Sequence, residues 1–300
     1  MPGRATGWLG GIARIGAWAG LLVVFGILAG ALWSLLPAEA GAGMAGQSFA
    51  TAVGAIAAGA LLIRAVDGRS PAALGIGVSR NTPREVGVGM LIGAAGLMAA
   101  VIVLLATGSL RYGSQAGTAV TWLSTVAVQA GGFTVAAFAE EALFRGYPFQ
   151  VLVRVGGPVL AIVVSSVLFA LAHGANPSIG IFALVNIFLA GILLAVAYLR
   201  TLSLWFATAL HMGWNWTMAT LFDLPVSGLQ MFDTPLYEPA VGGPGWWSGG
   251  VFGPEGGLVG TIGFGLALLL VLRWPAVRPD PMMLAARPLA LMSEEESNDG

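Results

Sequence analysis

Apolar residues run almost unbroken through stretches at about 15–36, 48–66, 86–107, 119–143, 157–173, 179–199, 202–222 and 257–273. Each is close to the ~20 residues that cross a bilayer as a helix. Short polar segments rich in arginine, glycine and proline separate them. A backbone immersed in lipid must satisfy its own hydrogen bonds, so such a pattern predicts an all-α fold. The expected architecture is a polytopic membrane helix bundle of about eight transmembrane helices.

The first stretch has a second reading. Arg4 and Arg14 precede it, and it ends near Ala38-Glu39-Ala40, which resembles the small-residue site where a signal peptide is cut. Its apolar core of about 20 residues exceeds the ~7–15 of a signal sequence, so it is expected to remain as the first helix. Arginines then set the orientation, because basic residues collect in cytoplasmic loops. Arg4, Arg14, Arg64, Arg69, Arg80, Arg84, Arg154, Arg200, Arg273, Arg278 and Arg287 all fall on one side if the helices alternate. Both termini are therefore expected in the cytoplasm. On the other side the loops carry Arg111 as their single basic residue, while the long seventh loop holds Asp223, Asp233, Glu238 and Glu255.

Residues 1–273 read as one integral membrane domain, with its motif-bearing core at about 119–222. Residues 274–300 read as a cytoplasmic tail, disordered and ending in the acidic SEEESNDG. The second loop, DGRSPAALGIGVSRNTPRE, is the main cytoplasmic excursion and is expected along the membrane surface. Trp246 and Trp247 in the seventh loop read as interfacial anchors.

Composition narrows the chemistry. The chain has 300 residues, 57% hydrophobic and only 9% charged, against roughly 25% charged in a soluble domain. A net charge of -1 offers no basic surface for nucleic acid. With no cysteine, disulfides, thiolate metal sites and a cysteine nucleophile are excluded. His173 and His211 are the only two imidazoles.

Against this background the segment FAEEALFRGYP (138–148) stands out, because carboxylates inside a span are costly and mark function. Glu141 and Arg145 are four residues apart, as are Phe169 and His173 in FALAH, and His211 and Asn215 in HMGWN. Each pair shares a helix face. If the fourth helix continues through GYP to Arg154, Glu140 lies roughly 21 Å from its inner end, with His173 roughly 24 Å and His211 roughly 14 Å along theirs. Glu140, Glu141, His173, His211 and Asn215 would then meet in one intramembrane pocket. Pro148 is the point at which that helix would break.

A carboxylate beside an imidazole performs general acid–base catalysis on water, and a second imidazole with an amide donates to the oxyanion of a peptide bond under attack. Glu140, Glu141, His173 and His211 also have the chemistry of a zinc ligand set, so no cofactor is certain and zinc stays open as an alternative. Other protease designs are absent: the histidines stand 38 apart, which rules out HExxH, and the spans hold no aspartate pair. A proton- or ion-coupled transporter would use the same residue types, but it would be expected to show inverted repeats, and none is evident. A non-catalytic immunity or scaffold protein is the remaining alternative.

EEALFR, FALAH and HMGWN, in that order on three separate helices, resemble the three motifs of the CAAX protease and bacteriocin-processing (CPBP) family, also called the ABI family of intramembrane endopeptidases. The resemblance implies a helical membrane bundle whose fourth to seventh helices form the catalytic core. It implies that Glu140 activates water with help from His173, that His211 and Asn215 stabilise the oxyanion, and that Glu141 and Arg145 form a buried pair orienting the first motif. The family is treated by some as metalloproteases and by others as glutamic endopeptidases, so the resemblance carries both chemistries, and metal-independent glutamate chemistry is the expectation. A lysine-free chain rich in alanine, glycine and arginine has the character of a GC-rich bacterial genome. That points to a bacterial plasma membrane, with a peptide or membrane protein as substrate in preference to a prenylated CAAX protein.

Overall fold

The apolar runs fold as helices. The computed structural model describes residues 7–35, 44–230 and 232–291, and 74% of the described residues are helical. In order the elements are α1 (Trp8–Trp33), α2 (Met44–Ala65), α3 (Thr82–Ala106), β1 (Leu110–Ser114), α4 (Ala119–Arg145), α5 (Tyr147–Ala172), α6 (Ile181–Thr201) and α7 (Leu204–Trp216). They continue with β2 (Tyr237–Val241), α8 (Gly245–Ser248), α9 (Leu258–Arg273) and α10 (Pro281–Ala286). Among the described residues five segments are long and apolar enough to cross a membrane: Trp8–Trp33, Ala45–Ala65, Thr82–Ala106, Ala119–Ala172 and Ile181–Thr201. Helix α7 has 13 residues, extended by a π-helical turn at Thr217–Leu221, and α9 has 16. The Ala38-Glu39-Ala40 site and the SEEESNDG terminus lie outside the described residues.

The run 119–172 is not one continuous rod. Helix α4 begins at a capping box, in which the Thr118 side chain accepts from Thr121 N, and stops at Gly146. A Cβ there would collide with the Ala142 carbonyl, so the bend requires glycine. Pro148 then occupies the first turn of α5, where its missing N–H is no loss. A second kink falls at Gly157, whose φ of 79° precedes Pro158. The expected continuation of the fourth helix through GYP to Arg154 is thus corrected. Arg154 belongs to α5, so its distance from Glu140 cannot be counted along one helix. The later part of α5 returns beside α4, where Ser165 Oγ donates to Phe144 O at 3.1 Å.

Helix α7 is buried along nearly its whole length. Glycines let α3 approach it closely: a Cβ at Gly93 would collide with the Leu210 carbonyl, and one at Gly213 with the Met90 carbonyl. Backbone proximity of this kind is the usual packing device between membrane helices. It fixes the rotation of α7, and so the direction in which His211 points.

Two networks define opposite faces. On one, Arg14 Nη1 pairs with Asp67 at 2.6 Å, Arg154 stands 3.6 Å from the same carboxylate, and Tyr147 donates to it at 2.9 Å. The second loop is folded in here and does not lie free: Gln150 donates to Ala73 O at 3.0 Å, and Leu204 N to Gly75 O at 2.9 Å. The disordered tail expected from residue 274 does not hold for residues 274–291. Asp280 accepts from Ser79 and Asn81, Leu289 N donates to Gln150, and Leu289 is fully buried, because apolar side chains in the segment find cover against α5.

On the opposite face β1 and β2 pair antiparallel, from Leu110 with Val241 to Ser114 with Tyr237. This small sheet was not part of the all-α expectation. It joins two loops that lie far apart in sequence, and Tyr112 and Tyr237 anchor it by donating to Phe222 O and Leu221 O. Trp246 is exposed in α8 and Trp247 half-buried.

Candidate active site

Three segments bring the motif residues together. The last turns of α4 carry Glu140, Glu141 and Arg145, the end of α5 presents His173, the middle of α7 presents His211, and its last turn presents Asn215. His173 is the C-cap residue of α5, with its Nδ1 2.8 Å from Phe169 O. Since a carbonyl only accepts, Nδ1 carries the proton and Nε2 is turned toward Glu140.

Glu141 is fully buried, and its Oε1 lies 3.1 Å from Arg145 Nη1 and 3.0 Å from His211 Nδ1. The guanidinium also donates to Gly191 O at 2.9 Å and stands 4.7 Å over the Phe169 ring. Charge, hydrogen bonds and an aromatic face together hold this arginine out of water. Phe169 in turn lies 4.7 Å from the His173 ring and 6.1 Å from the His211 ring, so it supports both imidazoles.

Glu140 points the other way. Its Oε2 is buried without a hydrogen-bond partner and stands 3.9 Å from His173 Nε2 and 3.9 Å from His211 Nε2. These gaps are too long for direct hydrogen bonds and short enough for a bridging water. With its Nδ1 donating to Phe169 O, His173 presents an Nε2 lone pair beside Glu140 Oε2. These two acceptors face one gap, which suits a water with two protons to give, and His211 Nε2 borders the same gap from the side of Glu141.

The expected zinc ligands fit less well. Glu141 is committed to Arg145 and His211, and separations of 3.9 Å exceed the roughly 3.3 Å edge of a tetrahedron built on ~2.0 Å bonds. Among the described residues no three His, Asp or Glu groups form a metal-holding cluster.

The site opens into a cleft of about 360 Å³. Glu140, His173 and Asn215 line it together with Gln47, Ser48 and Thr51 of α2, and with Asn176 and Ser227 from the loops. A second recess of about 220 Å³ lies beside it and shares Ser48, Phe133 and Ala136 in its lining. The side chain of Glu140 keeps 35% of its surface exposed to this space.

Glu255 was expected only as one of the acids in an outer loop. It is buried, with Oε1 accepting from Trp214 Nε1 at 3.0 Å and Oε2 from Ser227 N at 2.8 Å and Ser227 Oγ at 2.7 Å. Asn186 clamps the same turn by donating to Glu255 O and Gly257 O, each at 2.8 Å. Glu255 shares a small cavity of about 30 Å³ with His173, His211 and Asn215, large enough for a water. The glycine-rich surroundings in sequence hid it. The one signal was a single carboxylate directly before an apolar helix.

No curated protein and no solved structure matches the chain. Residues 118–217 match the family model described as type II CAAX prenyl endopeptidase Rce1-like, a segment that runs from the cap of α4 to the first residue beyond α7 and contains all three motifs. The match supports a CAAX-type intramembrane protease. Through this motif-bearing third of its length, the chain is similar to the CPBP family, to which that family model belongs.

Proposed function

We propose that the protein is an intramembrane endopeptidase that uses glutamate and histidine without a metal. The observation that carries this reading is the convergence of Glu140 Oε2 with two imidazole Nε2 atoms around a water-sized gap. Water held there gives a proton to the Glu140 carboxylate while its oxygen attacks the scissile carbonyl carbon. His173, fixed by Phe169 O, orients that water through Nε2. The oxyanion is met by the Asn215 amide and by His211, which donates from Nε2 as an imidazolium beside the Glu141 carboxylate. When the tetrahedral intermediate collapses and the C–N bond breaks, the proton on Glu140 passes to the departing amine.

Glu141 and Arg145 serve this site without touching the substrate, since they orient the His211 ring and fix the direction of α4. The substrate is a peptide or a membrane protein, and the protein lies in a bacterial plasma membrane with the eight helices of the sequence reading crossing it. The test is cleavage of a broad peptide library by the purified full-length protein. Products formed by the wild type and lost in Glu140→Ala are expected, and an identical product pattern from both proteins would refute the assignment.

A further inference from the structure

Twelve of the thirteen arginines lie among the described residues. Arg145 is buried in the site. Arg14, Arg64, Arg69, Arg80, Arg84, Arg154, Arg200, Arg273, Arg278 and Arg287 lie on or beside the loops that Asp67, Gln150 and Asp280 stitch into one face, where Arg69 donates to Arg287 O and Arg200 to Val277 O. The opposite face carries β1, β2 and the loops 173–180 and 222–257, joined by Asn176 donating to Ser227 O and Gln115 to Asp233. Arg111 is the one arginine on that face. So strong an asymmetry places the arginine face in the cytoplasm.

The cleft belongs to the other face. Its loop walls are Asn176, Val226, Ser227 and Leu229, and the α2 residues that line it, Gln47, Ser48 and Thr51, stand at the opposite end of that helix from Arg64. From Ser48 to Arg64 is 16 residues, or roughly 24 Å along a helix. Toward the arginine face, the route below Glu140 is filled by buried Tyr147, Gln150, Ala73 and Leu74.

We infer that the cleft opens to the non-cytoplasmic side and takes its substrate there: an exported peptide or an outward-facing segment of a membrane protein. This rests on the endopeptidase reading for the word substrate, but the orientation stands on its own. On the polar part of the cleft wall, Gln47, Ser48 and Thr51 offer hydrogen bonds to an extended backbone, opposite apolar Phe133, Leu143 and Phe144.

A chain with no cysteine allows a clean test. Ser114→Cys on β1 and Ala285→Cys in α10 each place one thiol at an exposed position, on opposite faces. In intact bacterial cells expressing the full chain, a membrane-impermeant maleimide is expected to label Ser114→Cys, and to label Ala285→Cys only after lysis. The reverse pattern would overturn the inference. Peptide-library cleavage by right-side-out spheroplasts, lost in inverted vesicles, is the expected companion result. Cleavage confined to inverted vesicles would overturn the side assigned to the substrate. Cleavage in neither preparation would refute the endopeptidase reading while the labelling still decides the orientation.

Discussion

Glu141 and His211 come from different motifs and different helices, yet Oε1 of one lies 3.0 Å from Nδ1 of the other, in an environment without solvent. The same oxygen holds Arg145. This carboxylate is therefore the joint between the first and third motifs. Removing one partner of a buried ion pair typically costs about 3–5 kcal/mol, because the other charge is stranded. Glu141→Ala is expected to lose stability of that order together with activity, measured as a lowered melting temperature in detergent. An unchanged melting temperature would contradict the role of Glu141 as a structural joint.

Asn215 is placed as an oxyanion donor. Loss of one such donor reduces turnover by roughly 10²–10³. Asn215→Ala is expected to lower kcat by that factor with KM little changed, in steady-state cleavage assays. A raised KM at unchanged kcat would make Asn215 a substrate-binding group instead.

How far the sequence discloses this site depends on the kind of interaction. The Glu141–Arg145 contact follows from a spacing of four on one helix, and the three motifs name the groups that converge. Their depth could not be counted along the chain, because Gly146 ends α4 and redirects α5 before Arg154 is reached. Glu255 escapes notice because its partners, Trp214 and Ser227, are 41 and 28 residues away and no periodicity links them. The order of residues 281–291 is equally illegible, since it arises from contacts with α5 and the second loop. Local rules give the helices and the pairs within them, while junctions made by single glycines and long-range hydrogen bonds appear only in three dimensions.

Glu255 ties the residue preceding Asn215 to the outer loop. In Glu255→Ala, the buried Trp214 Nε1 and Ser227 N lose their acceptor, each at a cost of about 1–3 kcal/mol. The variant is expected to melt earlier and to turn over more slowly. Glu255→Gln, which keeps one carbonyl acceptor, is expected to lie between it and the wild type in both measurements. Equal behaviour of all three proteins would show that the turn is held without the carboxylate.

Asp223 gives the outer loop a pH dependence. Burial pushes its carboxyl up from 3.8 to about 6, against the hydrogen bond from Thr234 N and with a further push from Asp233 and Glu238. A folded state that binds its proton more tightly than the unfolded chain is favoured while the proton stays on. The stability from this group is thus complete below about pH 4 and is lost as pH rises through about 6. Thermal unfolding followed from about pH 4 to about pH 7 is expected to show that decline, and Asp223→Asn should flatten it.

The central claim is that Glu140, acting on water beside His173 and His211, hydrolyses the peptide bond without a metal. The measurement that bears on it most directly is the cleavage rate of exhaustively chelated, metal-free protein, wild type beside Glu140→Gln. The account predicts that the wild type keeps its rate and that Glu140→Gln loses roughly 10²–10⁴ of it with its melting temperature preserved. Activity abolished by chelation and restored by zinc would contradict it.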